Sequence, residues 1–171
     1  MKSIVVTVGV ACVLILSGLA WSAAQSAAHP SATPPSIDGT YELAQRVMAN
    51  GTVVRPPAIV ALYTLADGRF NLNIFVKKDD GSIASESTVG RYSFTPERYC
   101  EWIIYTIRKD LDKAGVTNEG PPVSDHCTPV SSKNGRSDFS PPGEGVEVSY
   151  EREGFTAKIG GEFVDHWIRI R

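Results

Sequence analysis

The chain is poor in what a catalytic or metal centre would need. It holds three histidines and three cysteines in 171 residues, with no Cys-x-x-Cys and no His-x-x-x-His spacing, so the usual ligand patterns of a zinc site do not occur. Cys100, Cys127, His126 and His166 are the only candidates for a metal set, and they lie too far apart in sequence to form a motif. There is no nucleophile elbow and no cofactor fingerprint. Gly160-Gly161 reads as a bend between strands, because no strand-to-helix context follows it. Ser124-Asp125-His126-Cys127 has suggestive letters, but neighbours along a loop do not converge as a triad must. Asp165 and His166 fall on opposite faces of one strand. An excess of basic charge is missing too: 17 Lys+Arg stand against 19 Asp+Glu, with no basic patch, which argues against a nucleic-acid partner. The expectation is a protein with no catalytic residues, no metal and no cofactor.

What is present begins with an export pattern. Lys2 supplies a positive charge, Ile4 to Leu19 runs uncharged and largely apolar, and Ser22-Ala23-Ala24 closes the segment with small residues. That order is a cleavable signal peptide, residues 1–24. The apolar run is shorter than the roughly 20 residues that span a bilayer, so a membrane association would come only from an uncleaved signal segment. The sequence therefore predicts an exported protein, periplasmic or secreted. Residues 25–36, with three prolines among Ala and Ser, cannot bury enough surface to order themselves; they read as a linker before one domain over 37–171. Cleavage leaves Cys100 and Cys127, which an oxidising compartment should join as a disulfide.

The domain reads as strands. Tyr41, Leu43 and Val47 alternate with Glu42 and Arg46, the period of a half-buried strand, and Asn50-Gly51 then reverses the chain. Further strands are predicted over Ala58–Leu65, Phe70–Lys77, Ile83–Phe94, Tyr99–Ile107, Val146–Glu151, Phe155–Ile159 and Glu162–Ile170. Turns at Asp67-Gly68, Asp79-Asp80-Gly81 and Glu153-Gly154 separate several of them. Arg108 to Ala114 could form at most one short helix. From 116 to 143 no period survives and five of the eleven prolines fall there, so a long surface loop is expected, pinned by the disulfide to the fifth strand and available to a protein partner. Eight short antiparallel strands are best closed into an up-and-down barrel, with a β-sandwich as the alternative.

Gly39-Thr40-Tyr41-Glu42-Leu43, Tyr63-Thr64-Leu65-Ala66-Asp67-Gly68-Arg69-Phe70, Gly90-Arg91-Tyr92-Ser93-Phe94-Thr95 and Asp165-His166-Trp167-Ile168-Arg169 together resemble a bacterial lipocalin-like domain of the calycin type. The resemblance implies a barrel whose first strand opens Gly-x-Trp, here Gly39-Thr40-Tyr41, with a late arginine, Arg169 or Arg171, lying over that ring at the barrel floor. Eight strands enclosing room for one small molecule, aromatic residues recurring on several of them and the lack of a catalytic constellation then point to a non-catalytic carrier of a small, largely apolar ligand; an exported protease inhibitor or an envelope module is the alternative. Carrying period 2 inward from Tyr41 places Leu43, Gln45 and Val47 inside, and makes Gln45, Tyr63, Tyr92, Trp102 and Tyr105 the candidate ligand-binding residues.

Overall fold

The computed structural model describes residues 36–109, the backbone of 115–117, and residues 126–143 and 145–170. The signal segment 1–24, nearly all of the linker, Ser124, Asp125 and Arg171 lie outside the described residues.

The predicted strands form where the alternation lies. They are β1 (Gly39–Met48), β3 (Ile59–Ala66), β4 (Arg69–Lys77), β5 (Ile83–Phe94), β6 (Arg98–Lys109), β11 (Val146–Glu151), β12 (Gly154–Ile159) and β13 (Phe163–Arg169). Among the described residues, five further segments raise the count from eight to thirteen: β2 (Val53–Val54), β7 (Gly115–Thr117), β8 (Cys127–Pro129), β9 (Ser131–Lys133) and β10 (Arg136–Phe139). Every pairing is antiparallel, and the sheet runs β6-β5-β4-β3-β1-β13-β12-β11-β10-β9. Arg108 and Lys109 continue β6 rather than start a helix; residues 110–114 lie outside the described residues.

Much of the expected loop is barrel wall. Residues 127–133 form one run broken only at Val130. Its first half pairs β6 through Cys100↔Cys127, Tyr99↔Thr128 and Arg98↔Pro129, and its second half pairs β10. Val130 N–H donates to Glu97 O at 2.9 Å between the two. By changing partners midway, this run joins the last strand of the sheet to the first, closing an all-β barrel and leaving no open edge there. Asn134-Gly135 makes the β9–β10 turn, with φ of 53° and 79°, matching Asp67-Gly68 at 51° and 70°. Both are the two-residue turn whose twist suits a hairpin. The Cys100 and Cys127 sulfurs sit at bonding distance, 2.14 Å, across the seam.

Two bulges set which side chains face inward. The β1–β13 register shifts between Leu43 and Gln45, and the β5–β6 register skips Ile104, since Val89 faces Tyr105 while Gly90 faces Ile103. An extra residue in one strand reverses the alternation beyond it. Inward positions are thus Tyr41, Leu43 and then Arg46 on β1, and Tyr99, Glu101 and Ile103 and then Thr106 and Arg108 on β6. Close packing also depends on Gly90, opposite Phe70. A Cβ there would come within 2.2 Å of the Phe70 ring, so a larger residue would displace it.

Candidate functional site

One end of the barrel is sealed. Tyr41 is fully buried (0 % exposed) and donates its hydroxyl to Ile37 O at 2.8 Å. Arg169, its cross-strand partner on β13, donates from Nη2 to the Tyr41 hydroxyl at 2.7 Å, with the guanidinium 5.3 Å from the ring centroid. The same Nη2 reaches Ser36 O and Asp38 O at 2.9 Å. Gly39 opens β1 just above, opposite Leu65. Burial pushes the Tyr41 hydroxyl above the usual phenol range, against the pull of Arg169. Tyr92 is buried beside this floor and donates to the Asp38 carboxylate, and burial together with that carboxylate pushes its own hydroxyl well up.

Above the floor lies a cavity of about 680 Å³, within the range of about 300–1,000 Å³ typical of small-molecule sites. Its deep wall is aromatic, from Tyr63, Phe70, Tyr99, Phe139, Tyr150, Phe155 and Trp167; Leu72, Ile103, Val148 and Ala157 line it further along these strands. Polar groups then appear in cross-strand pairs. Arg46 grips Asp165 with two bonds of 2.7 Å, their side chains 16 % and 5 % exposed, and its guanidinium lies 3.6 Å over the Phe163 ring. Arg108 holds Glu86 at 2.7 Å, and the Thr88 and Thr106 hydroxyls meet at 3.1 Å. Glu101, buried, accepts the Tyr99 hydroxyl. Burial drives the Tyr99 and Tyr150 hydroxyls well above the ordinary phenol value. Trp167, 6 % exposed, lines the cavity with its indole N–H buried and without a hydrogen-bond partner among the described residues.

Of the five candidate ligand residues, Tyr63 alone lies on this wall, edge-on to Phe70, Phe155 and Trp167. Gln45 falls beyond the β1 bulge and turns outward, accepting from Arg55 at 2.7 Å; Arg46 takes the inward place. Tyr105 lies beyond the β6 bulge and off the wall, where Thr106 faces inward instead. Trp102 is 40 % exposed on the outer face, its ring 5.8 Å from that of His126. Tyr92 belongs to the floor. The residues that the sequence did not reveal are the charged ones, Arg46, Glu86, Glu101, Arg108 and Asp165. Their signal was complementary charge at opposed positions, Arg46↔Asp165 and Glu86↔Arg108, visible only once the register is known.

Fold and site together define an antiparallel barrel enclosing a cavity. No family model matches the chain, and no curated protein matches it. Among solved structures it is similar to a lipocalin-like protein from Bacteroides uniformis, at 14 % identity over 78 % of this chain and 97 % of that one, with a TM-score of 0.34. The barrel assignment rests on the strand register itself.

Proposed function

We propose that the protein is an exported carrier that binds and sequesters one small molecule in its barrel without transforming it. The observation that carries this reading is the cavity of about 680 Å³, whose wall includes Trp167 with a buried indole N–H that has no hydrogen-bond partner among the described residues. A buried donor without a partner costs about 1–3 kcal/mol, and a ligand acceptor placed against it removes that cost. The paired charges refine the expectation of a largely apolar ligand: the ligand is amphipathic, with an apolar body against the rings and polar atoms matched to the wall. Export is supported by the signal pattern of residues 1–24 and by the cysteine pair at bonding distance across the seam.

Native mass spectrometry of protein purified from the envelope or medium of its own host tests both halves. The expected mass begins near Gln25 and carries a retained small molecule. A ligand present at a hundredfold excess over its Kd should add about 2.7 kcal/mol of stability. A full-length chain in the cytosol would remove the export reading, and an empty barrel that no compound class stabilises would remove the carrier reading.

A further inference from the structure

Tyr150, Phe155 and Trp167 stand opposite one another in register on β11, β12 and β13, and all three line the cavity. Large side chains aligned in this way on neighbouring strands pack against each other. The Tyr150 ring lies 4.5 Å from that of Phe155 with planes 26° apart, and Phe155 lies 5.3 Å from Trp167 with planes 9° apart. The ladder continues past Tyr150 to Phe139 on β10, at 5.8 Å and 5°, and across the seam to Tyr99 on β6, at 4.4 Å and 27°.

Stacking decides what this ladder shows to the cavity. Each inner ring has a stacked neighbour on either side: Phe155 between Tyr150 and Trp167, Tyr150 between Phe139 and Phe155, and Phe139 between Tyr99 and Tyr150. Their faces are covered, so the part of each that borders the cavity is its edge. Aromatic edges carry the positive end of the ring quadrupole and aromatic faces the negative end. The wall thus offers a row of positive edges, which the face of another ring complements. Two of the protein's own rings already pack on the ladder in this manner. Tyr41 lies across Tyr150 and Phe155 at 5.8 and 5.1 Å with planes 76° and 79° apart, and Tyr63 lies across Phe155 and Trp167 at 5.9 and 6.3 Å, at 69° and 61°. At Phe155, whose two faces are occupied, such a contact sets the edge of Phe155 against the face of the tyrosine. A saturated body would gain only apolar contact from the same edges.

We propose that the carried molecule has a planar, electron-rich aromatic body whose ring face lies against the edges of the Phe139–Tyr150–Phe155 ladder. The proposal rests on the carrier reading and goes beyond it by setting the chemical class of the ligand's body. Two pairs of neutral probes, matched in carbon skeleton, separate the two: 2-naphthol against decahydro-2-naphthol, and naphthalene against octafluoronaphthalene, in which fluorination reverses the sign of the quadrupole. Each is measured by equilibrium dialysis against the purified protein.

The aromatic alcohol should bind about fivefold or more tightly than its saturated counterpart, the ratio that an edge-to-face contact of about 1 kcal/mol supplies, and naphthalene should bind more tightly than octafluoronaphthalene. Phe155→Leu keeps an apolar side chain and removes the central edge, so it should bring the two alcohols to within about twofold of each other. If decahydro-2-naphthol binds as tightly as 2-naphthol, or octafluoronaphthalene as tightly as naphthalene, the aromatic assignment is overturned while the carrier reading stands. An undiminished preference for 2-naphthol in a folded Phe155→Leu protein also overturns it. Should that variant fail to fold, the ranking of the four probes on the natural protein decides alone. If none of the four binds, the proposal fails, and an empty native mass spectrum then takes the carrier reading with it.

Discussion

At the floor of the barrel the Tyr41 hydroxyl is bonded to the Ile37 carbonyl and the Arg169 guanidinium; on the cavity wall above, the Trp167 indole N–H has no partner among the described residues. Both residues face inward from neighbouring strands, and both are almost wholly buried. The difference lies in what fills the space beside them. At the floor, Ser36, Ile37 and Asp38 fold under the first strand and supply acceptors, so polar groups satisfy one another and the end is sealed. Farther up, no such segment among the described residues enters, and polar groups pair only along the wall. A fully satisfied network rigidifies its surroundings, whereas an unsatisfied buried group calls for an explanation such as a ligand. The floor should therefore govern stability and the cavity should govern binding, and substitutions can break that division.

The largest effect is expected at the floor. Tyr41→Ala should cost about 3–5 kcal/mol, the scale for truncating a buried aromatic, read as a drop in the urea midpoint. An unchanged midpoint would show that the floor network is not what holds that end together. Next comes the seam. Replacing Cys100 and Cys127 together by serine should cost about 3–4 kcal/mol through the freed unfolded chain, because the bond closes a 27-residue separation at a three-pair ladder. Equal unfolding midpoints with and without reductant would place closure of the barrel in the sheet bonds alone.

The floor was more legible in the sequence than the cavity, for a physical reason. Tyr41, Leu43 and Arg169 lie where the alternation runs unbroken from the turn or strand end that sets it, and a period of two is readable there; Tyr92, expected on the ligand wall, joins this floor instead. Gln45 and Tyr105 lie beyond bulges, and a single extra residue turns every later side chain to the other face. Sequence carries no mark of either bulge. The charged wall was hidden differently: Arg46, Glu86 and Asp165 each resemble the polar face of a strand, and only the cross-strand register shows them paired inward. The β9–β10 hairpin carries a turn signal of its own in the sequence. Asn134-Gly135 is the same turn signal as Asn50-Gly51, obscured by flanking strands of three and four residues in a proline-rich stretch.

A pH titration compares the two regions without mutation. Tyr99 and Tyr150 on the cavity wall have hydroxyls raised by burial, whereas an unfolded chain's tyrosines ionise near pH 10. Above about pH 10 the unfolded chain releases protons that the folded barrel retains, so stability is whole below that pH and falls above it, by about 1.4 kcal/mol per pH unit for each buried tyrosine. The urea midpoint should decline steeply between about pH 10 and pH 11, and Tyr150→Phe should flatten the decline. A midpoint independent of pH over that range would mean that water reaches these hydroxyls.

The smallest effect on stability, and the sharpest test of the comparison, is expected at Trp167. Trp167→Phe removes part of a buried ring, which costs stability, and also removes a donor that has no partner among the described residues, which recovers part of the about 1–3 kcal/mol that such a group costs. The two changes oppose each other, so the urea midpoint should move by no more than the equivalent of about 1 kcal/mol. Binding should respond differently. A ligand acceptor that meets the indole N–H loses a hydrogen bond worth about 1 kcal/mol, and affinity for the retained ligand should fall about fivefold. If the variant instead lost 2 kcal/mol or more of stability while binding the ligand as before, the indole N–H would have a partner within the protein. Trp167 would then belong with Tyr41 among the groups that hold the barrel together, and the division between a sealed floor and a receptive wall would have to be drawn elsewhere.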